Sequence, residues 1–463
     1  MSGCALIRGT LQADNPALTR NRVTNSLTQQ PNLAVSVHPS PALRSITSAQ
    51  PADQASVRRS NLALVLRHLG AHGSRSRAGI AADTGLNKAT VSSLVAELVE
   101  RGLVREGELE RAGSVGRPAK IVELDGRGVG GIGVEINVDY LTALVLDLTN
   151  TVLFEQRVAL DVQALPPEDV LDAVAELTSR AVRECRRRDV LPVGVTIAIP
   201  ALVDVEGGVV AFAPNLHWRD VPVVRGMTDR LTGLLAETPM PIRMANDANL
   251  AALGEYTMGS VAGTADLVYL TGEIGVGGGV IAGGRLLGGA EGFSGEIGHI
   301  QLDPAGHECG CGRRGCWETL VGMAGMLRLA ADADDPVSDP SLDLEQRLDM
   351  IRRRAETGDR RTLDALEKVG AGLGVGASIL INVFNPRVVV LGGYFANLGP
   401  YLLGPMMAEL RARVIAPDIG GCRVELSRLG FAAASRGGAN VALEAVLDDP
   451  ALVPVRSVER NSG

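Results

Sequence analysis

Apolar positions recur at two different periods along the chain, and the change of period divides it. Between residues 56 and 126 the period is helical. Leu62, Val65, Leu66 and Leu69 predict a first helix near Ser60–Leu69. Val91, Leu94, Val95, Leu98 and Val99 form an i, i+3, i+4, i+7, i+8 stripe on another. Between them a second helix runs from near Arg77 to Asp83-Thr84-Gly85, where a glycine suits a left-handed cap. Asn87 caps the striped helix and Gly102 ends it. Leu103–Arg105 and Lys120–Leu124 then read as the two strands of a wing, with Gly113-Ser114-Val115-Gly116-Arg117-Pro118 at its tip. Two helices, a tight turn and a capped amphipathic helix follow the winged helix-turn-helix plan, with the last helix as the reader in the major groove.

From Gly131 the pattern changes to strands alternating with helices, which predicts layered α/β domains. Gly131–Asn137, Thr142–Leu146 and Val152–Leu160 read as a three-stranded meander, followed by a helix near Pro167–Arg188 and an apolar strand Val193–Ile199. Met240–Ala245 is a strand that runs through Asn246-Asp247 into a helix ending near Met258. Leu267–Leu270 and Gly278–Ala282 are strands around a glycine cluster, and Val388–Leu391 is a short buried strand in a helical C-terminal third. The expected division is a disordered extension at 1–55, a DNA-binding domain at 56–126, an α/β domain at 127–447 and a loose polar tail at 448–463. Residues 1–55 mix Ser, Thr, Asn, Gln, Pro and Ala without a sustained period, too little apolar surface to offset ordering entropy.

Charge sharpens this division. The chain of 463 residues carries a net −8, so the whole molecule is not a polyanion binder. Residues 56–126, however, hold eleven positive against eight negative side chains, a local +3 that leaves −11 elsewhere. On the predicted reading helix Asn87, Lys88, Thr90, Ser92 and Ser93 lie off the apolar stripe, free to meet base edges or phosphates. Arg117 at a Gly-Arg-Pro tip can enter a narrow minor groove. A protein-interaction module with ordinary surface charges is the plainer alternative. Two such readers on an inverted repeat of double-stranded DNA imply a homodimer or higher homo-oligomer. The N-terminus has no basic patch followed by an apolar core, and the longest apolar candidate, Leu191–Val203, is too short to span a bilayer. Six cysteines, three scattered and three clustered, are no secreted disulfide framework, so the expected compartment is the reducing cytoplasm, with no membrane partner.

The clustered cysteines lie in GEIGHIQLDPAGHECGCGRRGCWE, Gly295 to Glu318, as His299-x9-Cys309-x-Cys311-x4-Cys316. One imidazole and three thiolates can close a tetrahedron around Zn²⁺, a shell with no open position and therefore structural. His307 competes as a ligand, but only Glu308 separates it from Cys309, which would strain a shared site. Buried free thiols are the alternative. GEIGH followed by CxCGxxGCxE resembles the signature of the ROK family of sugar kinases and sugar-responsive repressors. The resemblance extends over most of the chain, from about Arg58 to Leu447, and includes the GRP-bearing wing of the repressor branch.

That resemblance implies a two-lobed sugar kinase/actin-like ATPase fold behind the winged helix, a structural zinc on His299, Cys309, Cys311 and Cys316, and a sugar site. The sugar ligands it implies are Asn246, Asp247, Glu296, His299 and Glu318, with Asp247 at the position of the kinase general base. These groups suit a polyol, since carboxylates and an amide exchange hydrogen bonds with several hydroxyls. The phosphate side departs from the family. Asp-x-Gly-Gly-Thr is here Glu135-Ile136-Asn137-Val138-Asp139, and Gly-Thr-Gly-Ile-Gly-Gly-Gly is Glu273-Ile274-Gly275-Val276-Gly277-Gly278-Gly279. Val138, Asp139 and Glu273 would bring bulk and negative charge toward a phosphate. The expected function is a DNA-binding repressor of carbohydrate genes controlled by a sugar or sugar phosphate, without catalysis. An active ATP-dependent ROK kinase with an accessory DNA-binding domain is the alternative, and a zinc-responsive regulator is a third reading.

Overall fold

The computed structural model describes residues 53–109, 120–339, 342–415 and 421–456. The wing tip 113–118 with Arg117, and the extension before residue 53, lie outside the described residues. The first helix spans Gln54–His72, longer than its apolar stripe predicts, because Asp53 caps it and accepts from the Ser56 amide at 2.7 Å. Asp53–Ala55 therefore belong to the DNA-binding domain rather than to the extension. The second helix is Arg77–Thr84, closed by Gly85 at φ 74°, and the third is Lys88–Glu100 with Asn87 as its cap. Leu62, Val65, Leu66, Leu69, Val91, Leu94, Val95 and Leu98 are buried together. Val99, counted in the stripe, is 39% exposed, since eight residues on it has rotated to the flank. The wing strands Val104–Leu109 and Lys120–Leu124 pair antiparallel, and Arg75–Ser76 adds a third strand.

The remaining chain forms two α/β lobes. In the first, strands at 242–246, 191–199, 129–136, 140–147 and 152–159 make one sheet in that order. The first three run parallel and the last three form the predicted meander. Helix Pro167–Arg187 covers one face with Val170, Val174, Leu177 and Ala181. Helix Ala433–Asp448 lies so close on the other that a Cβ at Gly133 would come 1.8 Å from the Ser435 carbonyl oxygen. The second lobe has strands at 285–286, 276–282, 267–272, 388–392 and 423–426. Helix Asp247–Met258 lies on it, and helix Arg360–Phe384 packs among the helices of the same core. The latter is long and apolar enough to cross a membrane by length and composition, yet it buries Val369, Leu373, Ala377 and Ile381 in the core. A small sheet at 202–204, 209–213 and 218–221 was not foreseen.

Residues 448–456 correct the expectation of a loose tail starting at 448. Asp448 ends the last helix, a 3-10 turn follows at Pro450–Leu452, and Val453 is 2% exposed against the winged-helix core. The Arg456 amide donates to the Glu100 carbonyl at 2.9 Å, and its guanidinium to that of Gly128 at 3.0 Å. Arg67 on the first helix pairs with Glu444 at 2.9 Å and with Asp448 on the last. These contacts fasten the DNA-binding domain to the first lobe.

Candidate functional site

His299 ends a 3-10 turn at Ile297–His299, and Cys316 caps the helix Trp317–Val321 that carries Glu318. Trp317 anchors this corner, fully buried, with its indole N–H donating to the Gly372 carbonyl at 3.0 Å. Between them the loop folds back through Gly312 and Gly315 at φ 85° and 66°, and Gly315 lies against the Asp303 carbonyl where no side chain fits. The ligand atoms of His299, Cys309, Cys311 and Cys316 all lie within 4.8 Å of one another. A tetrahedron with bonds of about 2.3 Å to sulfur has S···S edges near 3.8 Å. Cys311 Sγ and Cys316 Sγ are 3.7 Å apart, and Cys309 Sγ is 3.5 Å from His299 Nδ1. The four residues therefore form a cluster able to hold a metal. His307 is not among them; its carbonyl accepts from the Gly315 amide at 2.8 Å.

The metal cluster borders a cavity of about 180 Å³ between the lobes. Asn246, Asp247, Glu296, His299 and Glu318 all line it, so the five residues expected to hold a sugar converge. His299 turns Nδ1 toward the sulfurs and Nε2 toward Glu296, 3.8 Å away. Glu318 Oε1 sits 3.3 Å from His299 Nδ1 and accepts from the Cys309 thiol at 2.8 Å. A metal would thus orient one wall of the cavity. Asn246 caps the helix at 247, accepting from the Asn249 amide at 3.0 Å and donating to the Ala201 carbonyl at 3.3 Å. Burial pushes the Asp247 carboxyl up to about 6, against the pull of its own and the Ala248 backbone amides.

Sequence reasoning missed two parts of this cavity. Phe212, Pro214 and Asn215 reach it from the small sheet and its following turn, and no motif announced them. The second part is a network on the phosphate-loop side. The Asn137 amide donates to Glu135 at 3.2 Å and to Glu273 across the cleft. The Tyr140 hydroxyl donates to Glu135 at 2.7 Å and lies 3.3 Å from Glu273. Burial raises Glu135 to about 7, partly offset by Tyr140 and reinforced by the charge of Asp247. Glu273 is driven well above the usual carboxylate range by burial, then by the charges of Glu135 and Asp247. Asp139, expected to face a phosphate, instead pairs with Arg347 at 3.5 Å, both side chains buried and off the cavity wall. A buried carboxylate without a cation is costly, and Arg347 supplies one. Asp247 and Glu273 also border a small void of about 10 Å³ lined by Tyr269, Phe431 and Ala434.

On the reading helix Asn87, Lys88 and Ser93 are exposed, and Thr90 and Ser92 are half-buried. Asn87 Oδ1 accepts from the Thr90 amide at 2.8 Å, and the Ser93 hydroxyl from Arg58 at 3.2 Å. Lys88 has no side-chain partner among the described residues.

The sequence profile of the ROK family matches residues 131–445, and that of the MarR family matches residues 63–117. The xylose repressor of Bacillus spizizenii is 30% identical over 398 residues, covering 86% of this chain and 98% of that protein. The DNA-binding transcriptional dual regulator NagC of Escherichia coli is 28% identical over 356 residues, 75% of this chain and 83% of its own. A crystal structure of a ROK family transcriptional regulator, homologous to the E. coli MLC protein, superposes with a TM-score of 0.67 at 24% identity. It covers 85% of this chain and 97% of that one. A ROK family glucokinase from Streptomyces griseus, in complex with glucose and AMPPNP, gives 0.57 at 28% identity over 68% of this chain and 99% of its own. The chain belongs to the ROK family, with a MarR-type winged helix ahead of its ROK domain.

Proposed function

We propose that this protein is a transcriptional repressor of carbohydrate genes, acting in the cytoplasm, that senses a sugar in the inter-lobe cavity and does not phosphorylate it. The observation that carries the reading is the contrast within one cavity. Five side chains suited to a polyol converge on it, while on the phosphate-loop side Asn137 of one lobe is hydrogen-bonded to Glu273 of the other and Tyr140 to Glu135. Phosphoryl transfer is mostly positioning and charge stabilisation, so a retained Asp247 cannot act alone. The name of the Bacillus spizizenii relative, a xylose repressor, supports a monosaccharide effector. An active kinase is the second reading, favoured by Asp247 at the start of its helix with a carboxyl near 6, as a general base requires.

In this reading His299, Cys309, Cys311 and Cys316 hold one structural Zn²⁺, which fixes the His299 ring and the loop that presents Glu318. Two chains bind an inverted repeat, each placing Asn87, Lys88 and their neighbours in a major groove and Arg117 of the wing in a minor groove. Sugar shifts the lobes, and the shift reaches the reading helix through helix Ala433–Asp448 and its ties to Arg67 and the 449–456 segment. An electrophoretic shift assay with operator DNA, with and without sugar, tests the reading. A sugar-dependent change of about 5–150-fold is expected, the range of ordinary coupling energies. DNA affinity unmoved by any sugar that binds would overturn it.

A further inference from the structure

Charge in the cavity is unevenly spread. Asp247, Glu273, Glu296 and Glu318 line it, and the cation among the lining residues besides His299 is Arg313. Arg313 stands on the exposed metal loop with its guanidinium beside the Cys311 thiol. Two arginines border the Glu135–Glu273 network, and both are already engaged. Arg157 lies over the Tyr140 ring at 4.6 Å and pairs with Glu345 at 3.0 Å, and Arg347 faces Asp139. The end of the cavity near Asp247 therefore holds carboxyl groups with little positive charge to spare.

Geometry closes the same end. Asn137 and Glu273 come from opposite lobes and are hydrogen-bonded across the cleft, so neither is free to swing aside without losing its partner. Glu273 is held at both backbone ends as well, its N–H donating to the Gly275 carbonyl at 3.0 Å and its carbonyl accepting from Met323 at 2.8 Å. A hydroxyl placed at Asp247 meets groups that can accept or donate one proton. A phosphate on that hydroxyl would share the cavity with Glu273, which lines it together with Asp247. Glu135 and Glu273 already resist carrying their charges together, and burial is the first cause in both. These carboxyls already hold protons to limit their own charge, so a dianion brought among them would have to be neutralised by still more proton uptake in a site that water screens poorly.

We propose that the effector is an uncharged monosaccharide, and that Glu273, held by Asn137 and Tyr140, excludes a phosphate on the hydroxyl facing Asp247. This rests on the sugar-sensing reading above and narrows it. Glu273 is thus a specificity-determining residue: where the related kinases have a phosphate-loop glycine, this chain has a carboxyl that turns the phosphate away.

The test is titration calorimetry on the full zinc-loaded chain with D-xylose, D-glucose, N-acetyl-D-glucosamine, glucose 6-phosphate and N-acetylglucosamine 6-phosphate. At least one neutral sugar should bind, and the 6-phosphates should bind on the order of 100-fold more weakly or not at all. Glu273→Gln, which keeps the side-chain shape and a hydrogen bond to Asn137, should hold the neutral sugar within about 5-fold and narrow the gap to the phosphates about 10-fold. A 6-phosphate that binds wild type as tightly as any neutral sugar overturns the inference and leaves sugar sensing intact. This comparison needs no variant to fold. An undiminished gap in folded Glu273→Gln removes Glu273 from the role. If no sugar or sugar phosphate binds at millimolar concentration, the sensing reading fails and this inference with it.

Discussion

The two ends of the cavity handle charge in opposite ways. At the metal end, His299, Cys309, Cys311 and Cys316 bring three thiols and an imidazole within 4.8 Å, an arrangement that calls for a cation. At the phosphate-loop end, Glu135, Glu273 and Asp247 crowd together with an amide and a phenol between the first two, and burial pushes their protons on. One end is arranged to hold a metal, the other to share protons. The comparison teaches that the two walls of one cavity are organised independently, which is what the proposed sensing without phosphorylation requires. The Cys309–Cys316 loop meets Glu318 and His299 through its own contacts, while Asn137 and Glu273 bridge the lobes at the other end.

The strongest way to break this comparison is to empty the metal end. Cys316→Ser, at a fully buried position, should remove about one zinc per chain by elemental analysis and abolish sugar binding, since structural zinc contributes folding energy outright. A metal-free variant that still binds sugar would show that the loop does not depend on the ion. Next in size is Glu318→Ala, which should weaken sugar binding about 10–100-fold by calorimetry, the range for a hydrogen bond to a charged group. Unchanged affinity would take Glu318 out of the ligand set.

Away from both ends, Lys88→Ala should lower operator affinity about 5- to 10-fold and reduce the salt slope of binding by roughly 1, as expected for one lost phosphate contact. A slope identical to wild type would place Lys88 off the DNA. The smallest effect concerns protons at the phosphate-loop end. Glu135 and Asp247 have folded pKa values raised to about 7 and about 6, above the usual carboxylate range. Between about pH 4 and pH 7 the folded state then holds more protons than the unfolded chain, so these groups make stability fall as pH rises through that window. Glu135→Gln should flatten the fall in Tm between pH 5 and pH 7.5 by a few degrees. A steeper fall in the variant would mean that Glu135 is stabilised as a carboxylate.

What was legible in the sequence follows from distance along the chain. The reading helix and its Asn87 cap, the Gly85 turn and the metal loop are each written within a short continuous stretch, the longest being Gly295 to Glu318, and local periodicity and ligand spacing expose them. The phosphate-loop network joins residues 135–140 to residue 273, and Asp139 finds its cation at Arg347. Nothing in local composition announces such pairs, so Asp139 was read as facing a phosphate when a distant arginine had claimed it. The 449–456 segment was missed for the same reason. Its sequence is short and mixed, and its order comes from Val453 and Arg456 meeting residues more than 300 positions away. Val99 failed by a simpler route, since an i+8 position drifts off a stripe that four residues already fill.

The central claim is that this protein binds a sugar and leaves it unphosphorylated. The most direct measurement pairs calorimetry on candidate sugars with a coupled ATP-consumption assay on the same sample. Sugar binding with no sugar-dependent ADP release is the predicted result. ADP release at ordinary kinase rates of roughly 1–100 s⁻¹ would contradict it and restore the protein to the catalytic branch of its family.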